Sequence, residues 1–575
     1  MRLALRCACV IAGLGLLVGV QSAAAQVSTG EIFGKATDGT GAVTPGVTVT
    51  LTGPALIQPI VETTTETGAY RFPRIPIGTY EITFELTGFK RYVRSDIIIQ
   101  AGFNAEVNAK LELSTVQETV TVTGESPVVD TQSTTMAASF NKEMLESIPN
   151  ARDPWVIIEQ TPGMVMSGVN VGGNLSGQQT SFNAMGSGTN QQWNINGAVI
   201  SDIASGNSSP TYYDFDSFEE IQITTAGADA SQQGAGVQVN FVTRSGSNNF
   251  TGFARYYNTN DKCFGEWGSC QSINVTDAMR QENVAGGNPI QNIRDTGGQV
   301  GGPILKNKAW FWGAASRNDV RVGVNGFFDQ TNSSCSSIIN TPNPAAATNP
   351  DGSFKFGIQD IKNCLFGDLT VLKNYNGRLQ YRESNGHQTE FSYTFGDKTR
   401  TSRSCDAFHP LISCSKQRGP SIFYTPSHRW IAGNNLTIIA QYTHIHEDWY
   451  LGFEDDSLAD VQAINWVDTG YWDRSKSSAS YHTIRPQDDV RADGNYFKSN
   501  WLGADHSIKF GFAVRRSPVE SISTVGGGAV SRPVRVRAGA VHHDANQHGR
   551  PIALRRRRRV ICALQRGGHQ ARRRL

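Results

Sequence analysis

The chain has little charge, little methionine and no long internal apolar run. Asp, Glu, Lys and Arg make up 18% of its 575 residues, and only 7 residues are Met. No internal stretch reaches the roughly 18 apolar residues that a membrane-crossing helix needs. If this protein sits in a bilayer it must do so with strands closed into a barrel, because unpaired backbone is costly in hydrocarbon. Catalytic signatures are missing too. There is no G-x-S-x-G elbow and no Walker loop. Gly172-Gly173, Gly186 and Gly188 lack the strand-then-helix frame of a dinucleotide loop. Asp455-Asp456 and Asp488-Asp489 read as turn carboxylates without a partner for acid–base work. His444-Ile445-His446-Glu447-Asp448 would put both histidines on one side of a strand, but it is not H-E-x-x-H, and it reads as a polar strand near a loop. No catalytic residue, cofactor or metal site is expected, and no enzyme.

What is present favours strands and turns. Gly accounts for 59 residues, and Ser, Thr, Asn and Gln abound. Arg2 and Arg6, then an apolar stretch from Val10 to Val20, then Ala23-Ala24-Ala25 before Gln26, predict a signal peptide over residues 1–25, cleaved between Ala25 and Gln26. The mature protein is therefore expected outside the cytoplasm. Of the 9 cysteines, Cys7 and Cys9 leave with that leader and Cys562 lies in a C-terminal tail. The other six fall into close pairs in polar loops: Cys263 with Cys270, Cys335 with Cys364, and Cys405 with Cys414. Such pairs in an exported chain read as disulfides. Zinc is the rival, but neither C-x-x-C spacing nor histidines at ligand spacing accompany them.

Charge is unevenly spread. Residues 529–575 hold 13 Arg and a single acid, Asp544, so the rest of the chain carries 39 basic against 49 acidic residues. The tail has no Phe, Tyr or Trp and no period of 2 or 3.6. It is expected to be an out-of-frame reading, the rival being a basic patch for anionic lipid or nucleic acid. For an exported protein no nucleic-acid partner is expected.

Residues 26–113 alternate as half-buried strands do. Val47, Val49 and Leu51 alternate with Thr; Tyr80, Ile82, Phe84 and Leu86 recur at every second position; so do Ala105, Val107, Ala109, Leu111 and Leu113. Gly34-Lys-Ala-Thr-Asp-Gly39, Pro45-Gly46-Val47, Thr67-Gly68-Ala69-Tyr70-Arg71-Phe72 and Ile77-Gly78-Thr79-Tyr80 resemble the carboxypeptidase regulatory-like domain. The resemblance implies an immunoglobulin- or prealbumin-like β-sandwich and no peptidase. A zinc carboxypeptidase is a distant rival resting on the sandwich alone.

Residues 114–245 resemble the start of a TonB-dependent outer-membrane receptor. Glu118-Thr119-Val120-Thr121-Val122-Thr123 resembles a TonB box, the short segment that adds edge-on to the energy-transducing partner through main-chain hydrogen bonds. The same run also reads as the last strand of the sandwich, or as a linker. Phe140 to Pro149 predicts a short helix. Trp193-Asn-Ile-Asn-Gly197, Phe218 to Thr224 and Val237 to Gly246 resemble successive elements of that family's plug domain.

Residues 246–528 resemble part of the barrel. Tyr375, Gly377, Leu379 and Tyr381 alternate with polar residues. Asn385-Gly386 follows as a hairpin turn, and then Thr389, Phe391, Tyr393 and Phe395 alternate again. Ile508, Phe510, Phe512 and Val514 repeat the pattern. Gly301-Gly-Pro-Ile304 and Lys308-Ala-Trp-Phe-Trp-Gly313 resemble the Oar-like members, and Trp310 and Trp312 are expected in the interfacial aromatic girdle. About nine strands can be placed, where a plugged transporter has about 22. The expected fold is mainly β: sandwich, α+β plug and an incomplete antiparallel transmembrane barrel. The resemblance implies a cell-outer-membrane uptake receptor. Its partners would be a periplasmic TonB-type transducer, outer-membrane lipid and an unidentified extracellular substrate, and the piece encoded here would not be competent alone. A cell-surface scaffold or adhesion protein built of β-modules is the alternative.

Overall fold

The computed structural model describes residues 29–525 and 573–574, apart from 57–58, 115–118, 123–134, 185–190, 203–207, 228–235, 261–274, 283–286, 385, 434, 460, 462–463, 467–469, 474–478 and 502–503. The expected leader with Ala25 and Gln26, the Cys263–Cys270 pair and nearly all of the basic tail lie outside those residues.

The first unit is a sandwich. One sheet takes β1 (Thr29–Asp38), β4 (Ala69–Pro76), β7 (Asn104–Glu106) and β8 (Ala109–Leu111). The other runs β3 (Ile60–Thr63), β2 (Thr48–Thr52), β5 (Gly78–Glu85), β6 (Arg91–Ile99) and β9 (Thr119–Val122). The alternation in the sequence sets the inner faces. Val47, Val49, Leu51, Ile82, Phe84, Ala105 and Val107 are all fully buried between the sheets. Burying one such Val, Leu, Ile or Phe side chain contributes roughly 1.5–3 kcal/mol. Gly34 is required where β1 passes β7: a Cβ there would sit 2.0 Å from the carbonyl oxygen of Val107. Leu113 breaks the alternation and is 76% exposed.

The second unit is a small sheet in the order β10 (Met136–Asn141), β15 (Phe218–Ala226), β16 (Gln238–Thr243), β13 (Gln192–Ile195), β14 (Ala198–Val199). Two short helices, α1 (Lys142–Ser147) and α2 (Pro154–Glu159), pack on it, and β11 (Met164–Met166) pairs with β12 (Phe182–Ala184) in a separate ribbon. The helix expected from Phe140 begins two residues later, because Phe140 and Asn141 are held in β10 against Ile221 and Glu220. Asn141 then caps α1, its side chain accepting the Met144 N–H at 3.0 Å. Asn196 and Gly197 turn β13 into β14 with φ of 50° and 80°, left-handed values that suit Asn-Gly in a tight hairpin.

The third unit is one large antiparallel sheet. Its neighbouring positions are β17 (Thr251–Asn260), β18 (Ile290–Leu305), β19 (Ala309–Phe328), β20 (Leu365–Ser384), β21 (His387–Arg403), β22 with β23 (Ser415–Arg418 and Ser421–Ala432), β24 (Leu436–Phe453), β27 with β28 (Ala479–Ile484 and Gln487–Trp501), and β29 (Ala504–Arg516) beside β28, with β30 (Glu520–Val525) beside β27. The intervening β25 (Ile464–Trp466) and β26 (Tyr471–Asp473) form a separate hairpin. Among the described residues β17 pairs with β18 alone, so the sheet does not close. Tight turns lie at one end; long connections, including 329–364 and 404–414, lie at the other. Within them Cys335 is bonded to Cys364 and Cys405 to Cys414.

Alternation also sorts this sheet. Tyr375, Leu379, Tyr381, Phe391, Ile508, Phe510, Phe512 and Val514 all stand exposed on the outer face. Lys398, Thr394, Asn374 and Asp489 are buried on the inner one. Asp488 and Asp489 sit in β28 rather than in a turn, held by pairing with Arg516 and Arg515. Trp310 and Trp312 correct the girdle expectation. They are 1% and 5% exposed, because the register sets them opposite Gln380 and Arg378 on the inner face. Their indole N–H groups donate to Asn248 and Gln299. No described helix is long and apolar enough to cross a membrane.

Candidate functional site

The site is the seam where the small sheet meets the inner face of the large one. Trp155, Trp193, Phe182, Phe218, Ile221, Ile223 and Phe241 form the small unit's core, and Phe423 and Ile445 of the large sheet reach into it. Around that apolar contact the seam is polar.

The densest cluster joins Arg152, Asp214 and Asp216 of the small unit to Arg255 on β17 and Asp295 on β18. Arg255 meets Asp214 at 2.6 Å, Asp216 at 2.8 Å and Asp295 at 3.1 Å, while Arg152 meets Asp216 at 2.6 Å and Asp295 at 2.5 Å. Burial pushes the Asp214 carboxyl up, opposed by the Arg255 guanidinium. The cavity here is about 20 Å³, room for about one water. It is a lock rather than a ligand pocket.

Further contacts, among them those of Arg485, Lys398 and Arg378, clamp the seam elsewhere. Arg485, between β27 and β28, bonds Asp202 and reaches Glu447 at 3.4 Å. Lys398 on β21 is 1% exposed and donates to Gln178 and to the Tyr212 hydroxyl, each at 3.0 Å. Arg378 on β20 forks onto Glu390 at 2.8 Å through both nitrogens and donates to the Thr243 carbonyl at 2.8 Å, where the small sheet ends. Such bonds hold firmly while every partner is present, yet their separation exposes groups that water can satisfy.

The N-cap of α2 carries a second titration. Asp153 accepts the Trp155 N–H at 3.1 Å and an Asn170 amide N–H at 2.7 Å. Burial nevertheless pushes its carboxyl up to about 7, against those hydrogen bonds and the nearby Lys398 charge.

Among the described residues, the sandwich is tied to this unit around Ala101. Glu220 on β15 accepts the Ala101 N–H at 3.0 Å and bonds the Ser139 hydroxyl, and Gln222 donates to the Ala101 carbonyl at 2.6 Å. Burial raises the Glu220 carboxyl, the Ser139 and Ala101 bonds opposing it. At the tight-turn end of the large sheet, Arg71 stacks 4.5 Å over Phe497, and Arg429 donates to the Arg74 carbonyl at 3.4 Å.

Of the TonB-box candidates, Glu118 and Thr123 lie outside the described residues. Thr119, Val120, Thr121 and Val122 form β9, an edge strand parallel to β6 with Thr119 beside Arg91 and Val122 beside Arg94. The segment is therefore the last strand of the sandwich sheet, nine residues past the expected limit at 113, and it presents one free strand edge among the described residues. His444 Nδ1 donates to the Asp488 carboxylate at 2.8 Å, and its ring stacks 4.8 Å from Tyr424. Sequence reasoning missed the lock residues. The available signal was strand parity, since Arg378 and Gln380 alternate with the outward Leu379 and Tyr381.

Residues 31–112 match the family model described as the carboxypeptidase regulatory-like domain. Over 318 residues, 53% of this chain, the sequence is 31% identical to the TonB-dependent transporter Oar of Myxococcus xanthus, of which the chain spans 28%. Among solved structures, the chain is similar to FpvA of P. aeruginosa in complex with heterologous pyoverdines, with TM-score 0.45 and 10% identity over 69% of this chain and 44% of that one. The siderophore receptor PirA from Acinetobacter baumannii gives TM-score 0.42 and 15% identity over 67% of this chain and 48% of PirA.

Proposed function

We propose that this chain, a homologue of the TonB-dependent transporter Oar with a carboxypeptidase regulatory-like domain at its N-terminal side, serves energised uptake across an outer membrane. The large sheet is the membrane part and the small sheet the plug. The sandwich is an accessory on the periplasmic side, and the tight turns face the periplasm. A periplasmic TonB-type transducer adds a strand to the segment around Thr119–Val122, and the pull passes toward the plug through the chain leading to β10. The plug then leaves its polar seam and opens a path for a solute bound on the far side. Uptake needs a closed barrel, so we assign it to the receptor whose sheet is complete.

The observation that carries this reading is the plug-like sheet held on the inner face by ion pairs that ring a limited apolar contact through Phe423 and Ile445. An adhesion scaffold has no need of such a separable seam.

The test is retention of the full chain on the immobilised periplasmic domain of a TonB-type transducer. Retention is expected, and one of Val120→Pro and Thr121→Pro should weaken it, since N–H groups alternate sides along a strand and one of the two faces the free edge. Absence of retention by the unaltered chain sinks the reading and favours the scaffold.

A further inference from the structure

We propose that Glu383, His387 and His428 form a site for a divalent metal ion of the zinc class, on the outer face of the large sheet at its tight-turn rim. Three adjacent strands supply the side chains. Glu383 is the penultimate residue of β20, His387 begins β21, and His428 lies on β23 across from Thr389. Their candidate ligand atoms all lie within 4.8 Å of one another.

Strand parity puts them on one face. Gln388 and Arg429, the next residues along, bond each other on the opposite side, where Arg429 also meets the sandwich. His387 and His428 therefore turn away from the seam, and the Trp430 ring lies nearly parallel to His387, 5.9 Å away.

The hydrogen bonds set the histidine that matters. Thr389 has one hydroxyl proton, and the Glu383 carboxylate, 2.5 Å away, can only accept it. The Thr389 oxygen then accepts from His428 Nδ1 at 2.9 Å. That bond places the His428 proton on Nδ1 and leaves the Nε2 lone pair facing His387 Nδ1 at 3.2 Å. Two nitrogens each about 2.0–2.1 Å from a tetrahedral ion sit roughly 3.3 Å apart. A hydroxyl that orients a ligating imidazole from behind is the support such sites use. Two imidazoles and one carboxylate leave a fourth position for water, and this donor set suits zinc better than calcium or magnesium. Bound metal would staple the rims of β20, β21 and β23 beside the point where the sandwich docks.

The probe is Zn²⁺ itself, titrated into the full chain after removal of metal with a chelator, with Co²⁺ absorption as the report of tetrahedral coordination. One saturable equivalent is expected. His387→Ala and His428→Ala should abolish it, and Thr389→Val should weaken it about 10–100-fold. His482→Ala alters a histidine paired to Asp448 elsewhere and should leave binding unchanged. A second readout needs no variant: Zn²⁺ should protect His387 and His428, but not His482, from histidine-specific acylation read by mass spectrometry. No saturable binding, equal binding by both alanine variants, or equal acylation with and without Zn²⁺ overturns the proposal.

Discussion

The sandwich and the plug seam hold together by opposite means. Inside the sandwich, Ile32, Val47, Val49, Leu51, Ile82 and Phe84 are sealed from water without a charge among them. Across the seam, two arginines and three aspartates share one cluster, with Arg485 and Lys398 making further polar contacts elsewhere. An apolar core loses its stabilisation as soon as water enters. A seam of ion pairs exchanges one set of polar partners for another. On the proposed uptake reading, the difference separates a unit that stays folded under load from one that moves.

Arg255→Ala should break the comparison most. It leaves Asp214 without its cation while Asp216 and Asp295 keep Arg152, and an orphaned buried charge costs about 3–5 kcal/mol. Hydrogen exchange should rise over residues 136–243, while the sandwich keeps its protection.

Acidity comes next. The folded Asp153 carboxyl is raised to about 7 from 3.8. Between those values the unfolded chain loses its proton while the folded chain keeps it. The contribution of Asp153 to the small sheet's stability is therefore fullest below about pH 4 and is lost as pH rises through 7, by on the order of 4 kcal/mol at most. Asp153→Asn retains the cap and should flatten the profile in a pH series of plug exchange rates.

Ile82→Val tests the other side. It should cost the sandwich about 0.5–1.5 kcal/mol, seen as a shift in its unfolding transition with no change at the seam. The smallest effect is expected at the Glu85–Arg91 pair, whose side chains are about half exposed. Glu85→Gln should move stability by less than about 1 kcal/mol, which marks burial rather than charge as the source of the seam's strength.

The sequence was most legible where neighbours in the chain decide the outcome. Thr48–Thr52 alternates Thr with Val and Leu, and period 2 alone names its buried face. The outward row Tyr375, Leu379, Tyr381 and Phe391 was readable for the same reason. The seam was not. Arg255 meets Asp214 across 41 positions and Arg485 meets Asp202 across 283, and no local pattern announces such pairs. Trp310 and Trp312 show a related limit. Aromatic character argued for the lipid interface, but the face is decided by register, and Trp312 lies opposite the inward Arg378. The histidines followed suit: His444 and His446 were neighbours in sequence, whereas His387 and His428 become neighbours only once β21 pairs with β23. The Thr119–Val122 run admitted both a TonB box and a sandwich strand. The fold makes it an edge strand of the sandwich sheet.

The most direct measurement is hydrogen–deuterium exchange on the full chain with and without the periplasmic domain of a TonB-type transducer under load. Added protection is expected at Thr119–Val122, with faster exchange around Arg152 and Asp214–Asp216 and an unchanged sandwich core at Val49 and Phe84. Exchange that rises first in the sandwich core, with the seam unchanged, would contradict the uptake reading.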